Sequence, residues 1–312
     1  MRDFRFSCNV FAVRSRKQFA TYCKDAERYG YATVFTADHL GSPSPFPPLV
    51  LAAEVTERLR VGVLVLNVPF WNVHLLAREV ATVDVLTDGR FELGVGAGHM
   101  RWEFEAAGIR WAPHRERAAA VESALSELER LFSAAGYPER REGDDFYDRP
   151  VLTPVQRRGL NGSGPPVIIG GAGDRMLSLA ARRADTVALS GLVQAPGQRP
   201  GTFHMQTAGQ TDERVRFVRA QAGDRADDLE LNVLIQAVVV TPDRHAAATK
   251  LIDDFGLNLS TDEVLETPYL LIGSVDEIAA QLQERRQRFG VSHITVHEPY
   301  MAAFAPVIER LS

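Results

Sequence analysis

The chain has 312 residues, 45% hydrophobic and 24% charged, so it can bury a large core without disulfides or a structural metal. A net charge of −5 argues against a nucleic-acid grip or an anionic membrane surface. No apolar run approaches the ~18 residues of a membrane span. The opening MRDFRFSCNVF places Arg2, Asp3 and Arg5 where a signal peptide would be forming its apolar stretch, so it reads as a first strand, and a cytoplasmic protein is expected. Its two cysteines, Cys8 and Cys23, fit buried thiols in a reducing compartment.

Along the chain, strand and helix patterns alternate. Residues 4–11 read as a strand, 17–29 as a helix with Phe19, Tyr22, Cys23 and Ala26 on one face, and 33–37 as a second strand after Gly30. A helix over 47–57 leads to a strand over 60–66, whose valines and leucine run without alternation, the mark of burial on both faces of a parallel sheet. A helix at 74–86, a strand at 91–95 and a long amphipathic helix at 116–132 follow. Strands at 167–169 and 186–189 flank a helix at 175–183. A strand over 230–240, helices over 243–255 and 275–288, and a strand at 292–297 complete the pattern.

Eight strands alternating with helices predict an α/β fold, a (β/α)8 TIM barrel forming one domain over 1–312. An open doubly wound sheet would want a glycine fingerprint after the first strand, where Ala12-Val13-Arg14-Ser15 stands. Two irregular segments read as insertions, at about 137–166 and 191–229. The stretch 191–212 follows the sixth strand and is expected to hang over the barrel mouth as a substrate cover.

Working residues of such barrels sit at the C-terminal ends of the strands. Those ends read Ala37-Asp38-His39, Leu66-Asn67, Gly96-Ala97-Gly98-His99, Gly170-Gly171-Ala172-Gly173, Ser190-Gly191 and His297-Glu298. His39 is the candidate for proton transfer, or for a hydrogen bond to a bound ring, and Asp38 suits orienting a neighbour or capping a turn. Gly94, Gly96 and Gly98 bare the backbone for close approach of a flat ligand. Their spacing is neither a Walker nor a Rossmann fingerprint. The turn 170–173 precedes a helix beginning at Asp174 or Arg175, whose free N–H groups and dipole suit a phosphate. Together these ends fit a flat, phosphorylated cofactor lying across the mouth. No Gly-x-Ser-x-Gly elbow supports a serine nucleophile. His39, His74 and His99 could in principle join Asp38 around a metal, but the first strand offers only Ser7, Cys8 and Asn9, and no metal is expected.

The segments VFTADHL (34–40), LRVGVLVLNVPFWNVHLLAREVATVDVLTDGRFELGVGAG (59–98), EFEAAGI (103–109), PPVIIGGAGDRMLSLAARRADTV (165–187) and LLIGSVDEIAAQLQERRQRFGVSHITV (270–296) resemble the luciferase-like oxidoreductases, and within them the branch assigned to the deazaflavin coenzyme F420. The resemblance covers most of the chain and is weakest over 137–164 and 191–229. It implies a homodimeric barrel that takes F420 at its C-terminal face and passes hydride between the ring and a small organic substrate. The alternative it leaves open is an FMN-dependent monooxygenase fed by a separate reductase. It further implies a bulged third strand, with a non-prolyl cis peptide at about Leu64-Val65, backing the ring. The cofactor set implied is Leu64, Val65, Asn67, Gly96, Ala97, Gly98, Gly170, Gly171, Ala172 and Gly173. His39 matches a histidine that transfers a proton in some of these dehydrogenases. Where one group of deazaflavin sugar dehydrogenases carries a glutamate acid after the fourth strand, this chain has His99, which argues against the same sugar-phosphate chemistry. Glu298, beside His297, is a spare carboxylate for that role. The apolar turn 67–71 suggests an apolar or aromatic substrate edge.

Overall fold

Segments such as RVGV and VIIG are almost wholly buried, which a parallel sheet covered by helices allows. The computed structural model describes residues 2–133 and 152–312. Eight such strands follow one another: Arg5–Val10, Thr33–Thr36, Arg60–Val63, Phe91–Gly96, Val167–Gly170, Thr186–Leu189, Glu230–Ile235 and Val291–His297. Each pairs in parallel with the next, and the eighth pairs back onto the first from Arg5↔His293 to Asn9↔His297, so the sheet closes. The expected barrel is the observed fold. Of the insertion expected at 137–166, the part up to 151 lies outside the described residues.

Helices ring the barrel, and their starts are set by local chemistry. Ser15 accepts from the Gln18 amide, Asn72 from those of His74 and Leu75, and Ser274 forms a reciprocal capping box with Glu277. The short helices Arg101–Ala106 and Thr261–Glu266 and the terminal helix Met301–Leu311 were not among the elements expected from the pattern.

Three departures bear on the site. The strand expected over 230–240 breaks at Gln236, whose backbone N–H donates to Tyr269 and whose side-chain amide donates to Ser190. Beyond it, Ala237–Val240 leaves the barrel to pair with Leu270–Gly273 in a separate two-stranded sheet. Both halves are apolar, so hydrophobic pattern alone runs through the break. The segment 191–229 is an insertion only in its first part, where Leu192–Gln194 and Phe203–Met205 form an antiparallel hairpin. Its remainder holds the barrel helix Ala208–Ala222, whose buried positions are only Ala208, Thr211, Val215 and Val218, too small and too polar to stand out as an apolar stripe. The third strand stops at Val63, crosses a cis peptide at Leu64–Val65, and resumes as Leu66–Asn67 beside Val95–Gly96. Between the pairs Gly62↔Glu92 and Leu66↔Val95 it carries one residue more than its partner, which is a bulge.

The N-terminal end of the barrel interior is filled by charge. Glu92 Oε1 accepts from Arg5 Nη1 and Arg60 Nε, both at 2.6 Å, and Arg5 Nη2 reaches Glu230 Oε2 at 2.7 Å. His293 joins Glu230 at 3.2 Å and Ser7 at 2.8 Å. Burial pushes the Glu92 carboxyl up, but the Arg5 and Arg60 guanidiniums outweigh it and hold it below its ordinary value. A carboxylate so depressed contributes stability above its unfolded pKa of about 4.3, and loses that contribution as pH falls through the folded value. Glu92→Gln should therefore lower the unfolding free energy in urea at pH 7 by about 3 kcal/mol. The gap to wild type should close as pH falls below about 4. A gap that stays constant from neutral to acid pH would show that the ion cluster is not what Glu92 contributes.

Candidate active site

The second strand delivers Asp38 and His39 to the C-terminal mouth, where their partners separate them. Asp38 Oδ2 accepts from the Asn67 backbone N–H and from Trp71 Nε1, each at 2.9 Å, tying the end of the second strand to the resumed third strand. Burial raises the Asp38 pKa, and the two donors only partly oppose it. Trp71 also packs edge-on against Phe46, and Phe70 against Phe104 at 4.9 Å. The rings of the apolar turn 67–71 thus take part in packing while remaining half-buried.

His39 Nδ1 lies 2.8 Å from Glu103 Oε1, and the same oxygen accepts from the Leu40 amide at 3.1 Å. Glu103 is 1% exposed, on the inward face of Arg101–Ala106 beside Phe104. A carboxylate there fixes the neutral imidazole with its proton on Nδ1, so the Nε2 lone pair is the free one. No described residue hydrogen-bonds His39 Nε2. Glu103 was not among the site residues expected from the sequence. Its signal was present in EFEAAGI, an acid at the inward position of a short helix. Glu105, two residues on, is exposed and pairs with Arg101, and composition does not tell the two acids apart.

His99 stands edge-on to His39, centroids 5.3 Å apart, and Phe203 of the hairpin after the sixth strand stands 5.5 Å from His99 on another side. The hairpin expected to cover the mouth does reach it. Desolvation, with the Arg117 charge and that of His39 whenever it is protonated, lowers the His99 pKa to about 4, although the residue is exposed at the mouth. Burial lowers His297 to about 4 as well; its Nδ1 is buried without a partner among the described residues, and its ring lies 5.1 Å from Phe11. Glu298 is raised by burial and interacts with the Ala12 backbone and Arg14. These contacts do not bring it into the His39 cluster. His74 lies on an outer helix, 3.7 Å from Glu127, apart from the other two histidines.

The glycines have a packing role beside the one expected. A Cβ on Gly94 would sit 1.8 Å from Val63 O, and one on Gly96 2.6 Å from Val65 Cγ2. Val65 also comes within 3.3 Å of a Cβ on Gly170, so the bulged residue fills the space between the fourth and fifth strands. A Cβ on Gly98 would meet Asn67 Oδ1 at 2.4 Å, and Gly98 has φ +71° besides. A ligand therefore finds Val65 and Asn67 at the mouth, and the third strand occupies the glycine faces that were read as open. Asn67 Oδ1 and Nδ2 and Asn9 Oδ1 are buried with no partner among the described residues. Buried amides without partners are costly, and they fit a heterocycle whose edge alternates carbonyl and N–H groups. Beyond Gly170, Gly171 packs on Met176, and the helix Asp174–Arg183 begins at Gly173 without a side-chain cap, leaving first-turn amides for an anion. Leu64 packs with Phe35, Ile168 and Ala188 in a small cluster of its own.

A closed parallel barrel with a bulged third strand and a histidine–carboxylate pair at its mouth describes a luciferase-like oxidoreductase. The luciferase-like monooxygenase family model matches residues 11–265, and the chain belongs to that family. The 5,10-methylenetetrahydromethanopterin reductase of Methanopyrus kandleri is 24% identical over 315 residues, 98% of this chain and 86% of the reductase. The FMNH(2)-dependent dimethylsulfone monooxygenase of Pseudomonas fluorescens is 27% identical over 222 residues, 65% of this chain and 57% of that one. The solved coenzyme F420 dependent tetrahydromethanopterin reductase of Methanopyrus kandleri superposes with a TM-score of 0.71 at 17% identity, covering 99% of this chain and 98% of the other. Among the described residues, no helix is long and apolar enough to cross a membrane.

The depressed histidines can be checked directly. Side-chain NMR titration should place the midpoints of His99 and His297 near 4, so that both rings are neutral at pH 7. A midpoint at 6 or above for either ring would mean that water solvates it as it does a surface histidine.

Proposed function

We propose that the protein is an F420-dependent oxidoreductase that transfers a hydride between the deazaflavin and a small organic substrate, reducing an enone or imine or oxidising an alcohol. The observation that carries this reading is the 2.8 Å His39–Glu103 pair at the barrel mouth. Oxidation of a secondary alcohol to a ketone releases one hydride and one proton; the reverse reduction consumes both. Bound F420 would accept or supply the hydride, so the protein must handle the proton. Glu103 holds the proton on His39 Nδ1, and His39 Nε2 takes the hydroxyl proton in oxidation or, once protonated, returns it in reduction. Glu103, 2.8 Å from Nδ1, keeps the ring oriented and stabilises the imidazolium that forms. His99, neutral at pH 7, can hydrogen-bond to the reacting oxygen without adding a full charge.

Asn9 and Asn67 would meet the edge of the ring, Val65 would back it, and the amides of turn 170–173 with the following helix start would hold the phosphate. The active form is taken as a homodimer.

A second reading, an FMN-dependent monooxygenase fed by a separate reductase, draws on the 27% identity with the dimethylsulfone monooxygenase. Purified protein offered F420 and FMN, oxidised and reduced, separates the two. Binding of F420, with substrate turnover that consumes no oxygen, is expected; exclusive retention of FMN, with turnover coupled to oxygen uptake, would replace the first reading by the second. On the first reading His39→Ala should lower turnover by about 10³-fold and Glu103→Gln by about 10²-fold, while F420 affinity stays near wild type. Unchanged turnover in His39→Ala would remove His39 from the mechanism.

A further inference from the structure

Arg117, near the start of the helix His114–Ser133, is 7% exposed and has no carboxylate within ion-pair distance among the described residues. Its guanidinium lies 3.6 Å from the centre of the Trp111 ring and 5.8 Å from that of Phe104. A buried cation without an anion is costly, and here its hydrogen bonds all go to backbone oxygen. Nε donates to Ala97 O at 3.0 Å, Nη2 to Gly98 O at 3.4 Å and Nη1 to Ala112 O at 2.5 Å. Two of those carbonyls belong to the loop that carries His99.

The geometry of the peptide bond then decides where the loop's donors point. In a trans peptide the N–H is antiparallel to the preceding carbonyl. With the carbonyls of Ala97 and Gly98 drawn to Arg117, the amides of Gly98 and His99 point away from it. Neither amide donates to another described residue. Gly98, at φ +71°, supplies the left-handed step by which successive amides can line one concavity.

We propose that Arg117 is a positioning residue that holds the Gly98 and His99 amides as a two-donor hole for a carbonyl oxygen of the bound cofactor ring. The inference rests on the cofactor reading above and deepens it. Carbonyl oxygens of such a ring gain negative charge when the ring takes up hydride, and preorganised N–H donors stabilise developing charge without reorganising. The guanidinium on the far side of the same peptides adds positive potential while its own donors remain spent. The downward pull that Arg117 exerts on His99 is consistent with that proximity.

The test compares wild type with Arg117→Gln and Arg117→Lys by three readings: F420 and FMN affinity from fluorescence, backbone amide NMR of Gly98 and His99 with and without cofactor, and the His99 titration without ligand. In wild type the two amide protons should move downfield on addition of cofactor. In Arg117→Gln the affinity should fall tenfold or more, the amide shifts should be lost, and the His99 midpoint should rise from about 4. Arg117→Lys keeps the charge without the planar fork, so it should keep the low His99 midpoint yet lose most of the amide shift; it also serves if the glutamine variant does not fold. If wild type binds F420 or FMN but both variants bind it equally well with the same amide shifts, the positioning role is overturned and the cofactor reading stands. If wild type binds neither cofactor, the cofactor reading fails and this proposal falls with it.

Discussion

The close approach of Val63 O to the bare α-carbon of Gly94 is the constraint on which the mouth is built. With a Cβ position 1.8 Å from that oxygen, no other residue could stand at Gly94 without displacing the third strand. The approach admits the bulge, and the bulge carries Val65 into the space left by Gly96 and Gly170. It also sets Asn67 against Gly98 and places the Asn67 amide under Asp38. Gly94, Gly96 and Gly98, read as openings for a ligand, are thus also the means by which the third strand reaches the rim. On the Cβ side of those glycines a ligand would meet that strand, and the second strand's Asp38 keeps it there.

Much of this architecture was legible because it rests on local chemistry. Valine-rich strands without alternation imply a parallel sheet, Gly30 ends the first helix, and the strand ends follow from closure. The position of the cis peptide came from resemblance alone. The parts that were missed depend on tertiary placement. The break at Gln236 exists because Ser190 and Tyr269, distant in the chain, bind its two amide groups. The helix Ala208–Ala222 turns alanine and threonine toward the core, so its buried face lacks hydrophobic contrast. Glu103 escaped notice because its role needs a histidine 64 residues earlier to be 2.8 Å away. The carboxylate sought after the fourth strand was placed at Glu298 on sequence position, whereas the structure puts one beside His39 by way of a six-residue helix.

The two ends of the barrel solve opposite electrostatic problems. At the N-terminal end, Arg5, Arg60, Glu92, Glu230 and His293 neutralise one another at hydrogen-bond distance, and Glu92 and Glu230 are both held below their ordinary pKa. That arrangement stores charge where nothing has to move. At the mouth the direction reverses: His99 and His297 are driven toward the neutral form, Asp38 and Glu298 are raised, and Asn9 and Asn67 present uncharged amides. On the reading proposed above the site passes a proton, and fixed ions around it would each favour one charge state of the substrate throughout the reaction. The His39–Glu103 pair and Arg117, behind the loop that carries His99, are the exceptions. In that pair Glu103 gives the same oxygen, Oε1, to both His39 Nδ1 and the Leu40 amide, so what it does at the mouth passes through the imidazole it orients. The ring nitrogen left open toward the mouth is thereby one atom, His39 Nε2. The hydride transfer proposed above calls for such a site, because hydride and proton reach or leave the substrate by different routes.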